Sequence, residues 1–176
     1  RGFADEPLTN DAAARFEALC EQRRKGLPIA HLLGEREFWS LPLTVTTDTL
    51  IPRPETELLV ELALEKTSST ATVADLGTGS GAIALAIATE RPDATVFATD
   101  QSGSALATAN GNARKLGLEN LRFFQGNWCD ALQPRPHDVI VSNPPYVDQE
   151  DMDALSAEFK HEPELGLSSG ADGLDL

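Results

Sequence analysis

Apolar positions in the second half of the chain fall into short runs at residues 72–76, 95–99, 121–125 and 138–142, each of strand length. Between the first two lies an alanine-rich stretch, 81–90. Between the second and third lies a helical one, 102–116, which Gly117 stops. Short apolar strands alternating with helices predict an α/β fold, a parallel sheet with helices on both faces. The link from third to fourth strand is short and carries Pro134 and Pro136, so no full helix is predicted there.

Upstream the pattern changes. Residues 11–24 have helical spacing, with Ala12, Phe16, Leu19 and Cys20 on one face, Thr9 or Asn10 as cap and Gly26 as stop. Arg23, Arg24 and Lys25 fall in the last turn, where they complement the helix dipole. Residues 37–46 hold two β-prone runs around Pro42, which predicts a small hairpin or an extended linker. Pro54 opens a second helix, with Glu55 and Glu57 in its first turn and Leu58, Leu59 and Leu62 facing inward.

Composition narrows the function classes. With 41% hydrophobic and 24% charged residues, 176 residues can bury a core, and disorder is not expected. The formal net charge is −14, which repels a phosphate backbone, so no direct nucleic-acid partner is expected. No apolar run approaches the ~20 residues that span a bilayer, and no signal sequence opens the chain, so no membrane partner is expected. Arg1 stands where a Met would start a gene product, which leaves room for an upstream piece. Cys20 and Cys129 fit neither a disulfide framework nor a metal knuckle. Reduced thiols in a cytoplasmic protein are the simplest reading.

The chemistry concentrates at strand ends. The first strand runs through Asp75 into Gly77-Thr78-Gly79-Ser80-Gly81, a glycine-rich turn that opens a helix. Glycines there permit positive φ and let a ligand approach the backbone, and the first helical amides would face it. Gly77, Gly79 and Ala82 also satisfy the relaxed dinucleotide fingerprint. Asp100 ends the second strand, 23 residues after Gly77, where a carboxylate can accept from a ribose diol. An ordinary helix cap at Ser102 is the plainer role. Loop and carboxylate together imply a nucleoside-bearing cofactor without saying which. The fourth strand then leads into Asn143-Pro144-Pro145-Tyr146. Two prolines remove two donors and hold the carbonyls of Asn143 and Pro144 out of any helix. An Asn side chain beside a free carbonyl can grip a planar NH2 group, with the Tyr146 ring next to it.

These residues resemble the motifs of class I S-adenosylmethionine-dependent methyltransferases that modify amino groups. Gly34-Glu35-Arg36-Glu37-Phe38-Trp39 and Leu50-Ile51-Pro52-Arg53-Pro54-Glu55-Thr56-Glu57 narrow the likeness. They resemble the peptide chain release factor N5-glutamine methyltransferases. The resemblance implies a Rossmann-like catalytic domain at 53–176, a hairpin linker at 35–52, and the end of a helical substrate-binding domain at 1–34. It implies S-adenosylmethionine as cofactor, a release factor as protein partner, and methylation of the glutamine in its Gly-Gly-Gln loop. By matching position, Asp75 and residues 77–81 would hold the methionine part of the cofactor, Asp100 the ribose, and Asn127 and Trp128 the adenine. Asn143, Pro144, Pro145 and Tyr146 would bind the substrate amide, with Asn143 also near the cofactor.

Two departures stand out. Many relatives carry an acidic residue where this chain has Asn127, which weakens the adenine contact without removing it. Relatives also continue past Leu174 into a helix and three strands, so the C-terminal strands are expected to be missing here. The implied reaction is direct displacement by the amide nitrogen with no obvious general base, so near-attack positioning, worth up to ~7–11 kcal/mol, carries it. Adenine-N6 methylation of DNA, an NAD-dependent oxidoreductase and an inactive cofactor-binding fragment are the alternatives. Gly166-Leu167-Ser168-Ser169-Gly170 matches a hydrolase elbow by letter, but no His lies downstream of it. His31, His137 and His161 lack ligand spacing, so no metal is expected.

Overall fold

The computed structural model describes residues 9–132, 134–148, 151–152 and 159–174. Helix α1 (Asn10–Arg24) starts at its expected cap, where the Thr9 hydroxyl accepts from the Ala12 amide at 3.3 Å. Gly26, at φ 95°, turns the chain away from its end. The apolar face of α1 is not buried: none of its residues is, and Phe16 is 60% exposed. A short helix α2 (Ile29–Leu33) follows and ends at Gly34 in a left-handed conformation. Its Ala30 packs with Val45 and Ile51 in a small apolar cluster.

Strands β1 (Glu35–Phe38) and β2 (Leu41–Thr44) form an antiparallel hairpin. The turn falls at Trp39-Ser40 and not around Pro42. Both turn residues take positive φ, 54° and 57°, as a two-residue hairpin matched to strand twist requires. Pro42 sits inside β2 opposite Glu37, on a ribbon that has free edges for a residue with no N–H to give. The hairpin is packed, not an extended linker. Phe38 and Leu43 are buried in the main core. The Trp39 amide donates to Glu57 at 2.8 Å, and its indole Nε1 to Glu90 at 3.0 Å.

A 3-10 turn (Pro54–Thr56) precedes helix α3 (Glu57–Lys66). The inward residues of α3 are Val60 and Ala63, whereas Leu58 and Leu62 are 59% and 50% exposed. The expected leucine face is therefore corrected for Leu58 and Leu62, while Leu59 is half-buried and packs against the core as expected. Two apolar stripes share this helix, and the one with the smaller side chains meets the alanine-rich helix α4 (Ala82–Glu90).

Strand β3 (Thr72–Leu76) lies between β4 (Thr95–Asp100) and β6 (Val139–Ser142), and β5 (Leu121–Gln125) adds to the far side of β4. All pairs are parallel, in the order β5-β4-β3-β6. Helix α5 (Gly103–Lys115) is capped by Ser102, whose hydroxyl accepts from the Ala105 amide. Val60, Ala63, residues 82–88 of α4 and Ala113 share one core with Val73, Val96, Ala98, Leu121 and Val141. Helices α3, α4 and α5 thus gather on the sheet face that Val73 and Asp75 present. On the other face Phe97 stacks on Phe124, with Arg135 over its ring and His137 at its edge. The buried amide of Asn112 ties α5 to the hairpin and the glycine loop. Its Oδ1 accepts from Thr44 N at 2.8 Å, and its Nδ2 donates to the carbonyls of Thr44 and Ser80, both at 3.0 Å. The fold is α/β with a parallel sheet, as the alternating pattern predicts, but among the described residues α3, α4 and α5 cover one face of the sheet and not both.

Candidate active site

Parallel strands carry their loops to one edge, and here the carboxyl ends of β3, β4 and β6 open onto a cleft of about 190 Å³. Gly77, Gly79, Asp100, Trp128, Asn143 and Pro145 line it. All six are site residues that the sequence and its family resemblance predict. Around the loop, exposure alternates: Gly77 is exposed and Gly79 half-buried, while Thr78, Ser80 and Gly81 are buried. The loop therefore has two kinds of glycine. A Cβ at Gly79 would enter open space, and one at Gly77 would touch only the Trp128 ring, at 3.8 Å. At Gly81 it would collide with Leu85 at 2.9 Å and Ala109 at 3.1 Å, so Gly81 serves close packing of the helices.

Four of the five loop amides, those of residues 77, 78, 79 and 81, are bonded within the protein. Those of Gly77 and Thr78 both donate to the Thr99 carbonyl at 2.9 Å, and that of Gly81 to the Thr78 carbonyl at 2.8 Å. The Gly79 amide donates to Asp100 Oδ2 at 2.8 Å. A phosphate-binding loop needs such amides free to point at its anion. This loop instead offers bare glycine surface.

Asp100 uses both oxygens, since Oδ1 accepts from Ser102 N at 2.9 Å. The plain capping role is real, and the cleft-lining position comes with it. A carboxylate has about four lone-pair sites, so two remain for a ligand hydroxyl. Asp75 does not line the cleft. It is fully buried beneath the loop, where Oδ2 accepts from the Thr78 hydroxyl at 2.6 Å and the Ala84 amide at 3.2 Å. Its Oδ1 has no partner. Burial pushes this carboxyl up to about 6; the charge of Asp100 adds to the rise, and the two hydrogen bonds oppose it.

Trp128 stands at φ 42°, a strained backbone for a bulky residue, in the short 3-10 turn Trp128–Ala131. Asn127 lies outside the cleft lining, and its Oδ1 accepts from Gln101 Nε2 at 3.0 Å. Gln101 does line the cleft, a position sequence reasoning passed over.

A second cavity, of about 380 Å³, lies on the other side of Asn143. Pro144 and Tyr146 line this one, and Asn143 and Pro145 line both. The backbone past Tyr146 is fixed from behind: the amides of Tyr146 and Val147 donate to the Leu167 carbonyl at 3.2 and 2.9 Å. Tyr146 itself is 71% exposed. Arg53, Glu55 and Phe159 complete the wall. Arg53 and Glu55 stood in a run whose role the sequence left open. Phe159 gave no signal at all, because its partners are remote. Among the described residues, no group of His, Cys, Asp or Glu is arranged to hold a metal ion.

A parallel α/β sheet carries the glycine loop, a strand-end acid and the Asn-Pro-Pro-Tyr edge to one cleft. The chain belongs to the Methyltransferase small domain family, which matches residues 54–170. Residues 3–34 match the PrmC N-terminal domain. The chain is 52% identical, over 97% of its length, to a release factor glutamine methyltransferase of Xylella fastidiosa. It is 44% identical, over 98% of its length, to the protein of that name from Escherichia coli. It spans 63% and 62% of those two proteins. A crystal structure of wild-type Trm5b from Pyrococcus abyssi superposes with a TM-score of 0.53 at 17% identity, covering 78% of this chain and 39% of that one. That likeness bears on the fold alone.

Proposed function

We propose that this chain is the catalytic part of an enzyme that methylates the side-chain amide nitrogen of a glutamine. Its substrate is the Gly-Gly-Gln loop of a peptide chain release factor, and its cofactor is S-adenosylmethionine. The observation that carries the reading is the pair of cavities meeting at Asn143 and Pro145. Methyl transfer between two molecules needs two sites that share one wall. The identity to release factor glutamine methyltransferases supports the choice of substrate. The four loop amides taken up within the protein favour a cofactor without a pyrophosphate over NAD.

When bound, S-adenosylmethionine supplies an electrophilic methyl group on a sulfonium. Gly77 and Gly79 give it room, Asp100 accepts from its ribose hydroxyls, and Trp128 lies along its adenine. Asp75, Thr78, Ser80 and Gly81 act from beneath, holding the loop in shape. Asn127 acts only through Gln101. Asn143 and the Pro144 carbonyl accept from the substrate NH2, and Tyr146 and Pro145 bound the amide plane. Holding the nitrogen in near-attack geometry supplies most of the rate. Residues 1–34 form the end of a substrate-binding domain, 35–52 the connecting hairpin, and 53–176 the catalytic domain. The enzyme works in the cytoplasm, where release factors act. Among the described residues no helix is long and apolar enough to cross a membrane.

A labelled-methyl assay tests the reading. With S-adenosylmethionine as donor, label should enter release factor at its glutamine and not enter adenine in DNA. Transfer to DNA, or calorimetric binding of NAD in place of S-adenosylmethionine, would overturn it.

A further inference from the structure

We infer that Glu162 is a positioning residue for this reaction, the bond that holds together the wall shared by the two cavities. The inference rests on the methyltransferase reading and deepens it. The Glu162 side chain is 2% exposed, and both its oxygens are engaged. Oε2 accepts from the Ile51 amide at 2.8 Å, and Oε1 pairs with the Arg53 guanidinium. The partners lie 111 and 109 residues away in sequence. Glu162 thus joins two segments that are distant in sequence.

Those two segments meet beside the site. Leu50, next to Ile51, and Gly166, at the end of the 3-10 turn Glu164–Gly166, each line both cavities. A Cβ on Gly166 would stand 3.7 Å from that of Leu50. Pro163 and Leu165 face the cofactor cleft, while Arg53 and Phe159 face the substrate cavity, with the Arg53 guanidinium 5.0 Å from the Phe159 ring centre. From below, Ala30 of α2 packs with Ile51. Glu162 bonds to Ile51 and Arg53, the two residues through which the first segment enters these contacts.

Burying a charged pair is a poor way to gain stability, because an apolar pair of the same size often does as well or better. A buried carboxylate placed here, with one oxygen on a backbone amide and the other on a pocket side chain, serves geometry. It fixes Leu50 where the two cavities meet and Arg53 against the substrate side.

The test compares wild-type protein with E162Q and E162A, all well below their melting temperatures. Two quantities are read: affinity for S-adenosylhomocysteine by calorimetry, and KM and kcat for release factor. E162Q keeps an acceptor for the Ile51 amide and loses the ion pair. It should bind S-adenosylhomocysteine within threefold of wild type, while kcat/KM for release factor falls tenfold or more, mostly through KM. E162A loses both bonds and should weaken both ligands at least tenfold. If E162A does not fold, the E162Q split alone decides. Variants that only melt earlier, with both ligands bound as in wild type, overturn the inference and leave the methyltransferase reading standing. If wild type itself fails to bind S-adenosylhomocysteine, that reading falls, and this inference with it.

Discussion

The wall on the cofactor side of Asn143 and the wall on its far side differ in how far along the chain their bonds reach. In the first, Thr78 bonds Asp75 three residues away, and Gly79 bonds Asp100 at a distance of 21. Both bonds lie within one strand–helix–strand unit. In the second, Arg53, which lines only the far cavity, reaches Glu162 across 109 residues. A wall closed by local bonds forms as its unit folds. One closed by distant bonds exists only after the whole chain has folded, and it opens first when the structure loosens. Damage to the cofactor wall should therefore appear in cofactor affinity and global stability. Damage to the far wall should appear in substrate use.

Asn143, where the walls meet, should give the largest effect. Asn143→Ala removes the acceptor for the substrate NH2, and kcat/KM for release factor should drop by ~2–4 kcal/mol in single-turnover methyl transfer. Asn143→Asp keeps an acceptor and should retain clearly more activity than the alanine variant. If the two are equally inactive, the donor half of the amide matters more. If alanine is fully active, Asn143 does not touch the substrate.

Asp75 probes the base of the cofactor wall through pH. Its folded value of about 6 lies above the ordinary 3.8, so the folded state holds this proton more tightly than the unfolded chain does. The stabilising contribution is present at low pH and is lost as pH rises from about 4 to about 6. At 1.36 kcal/mol per unit the loss amounts to about 3 kcal/mol. Asp75→Asn cannot titrate. Its stability relative to wild type in urea unfolding should accordingly rise by up to about 3 kcal/mol between pH 4 and pH 7. A difference that does not change with pH would mean the buried charge carries no such penalty.

Asp100→Ala acts on the same wall but at its surface. It should weaken S-adenosylmethionine binding by ~1.5–3 kcal/mol, the range for hydrogen bonds to a charged group. The KM for release factor should hardly move. Unchanged cofactor affinity in a folded variant would leave Asp100 with its capping role alone.

Phe159→Leu should give the smallest effect, on the opposite wall. It removes the ring beneath Arg53 and keeps apolar volume, so release factor binding should weaken by about 0.5–1 kcal/mol. Cofactor affinity should stay as it was. A larger loss of cofactor than of substrate binding would erase the contrast between the walls.

Much of this molecule could be read from the order of its residues, for reasons tied to particular elements. The four sheet strands, the ends of α4 and α5 and the Thr9 cap follow from apolar runs and local capping chemistry, which act over a few residues. Gly77, Gly79 and Asp100 came into view the same way, because a turn, a helix start and a strand end are local events. What failed required knowing which neighbour a residue meets. The inward face of α3 was assigned to leucines because α4, which selects Val60 and Ala63, is a tertiary partner. The inward pointing of the loop amides depends on where β4 places the Thr99 carbonyl and Asp100.

The sequence alone therefore determined the α/β class, the cofactor-side loop and the Asn-Pro-Pro-Tyr edge. Each rests on φ preferences, missing donors and period-matched apolar residues, which a short segment contains in full. Only the tertiary structure decided that Glu162, one acid in a strongly acidic stretch, is buried against Ile51 and Arg53. Only it divided the glycine loop into positions that face a ligand and one that packs a helix. Burial and long-range pairing belong to the folded chain as a whole, and no window of neighbouring residues carries them.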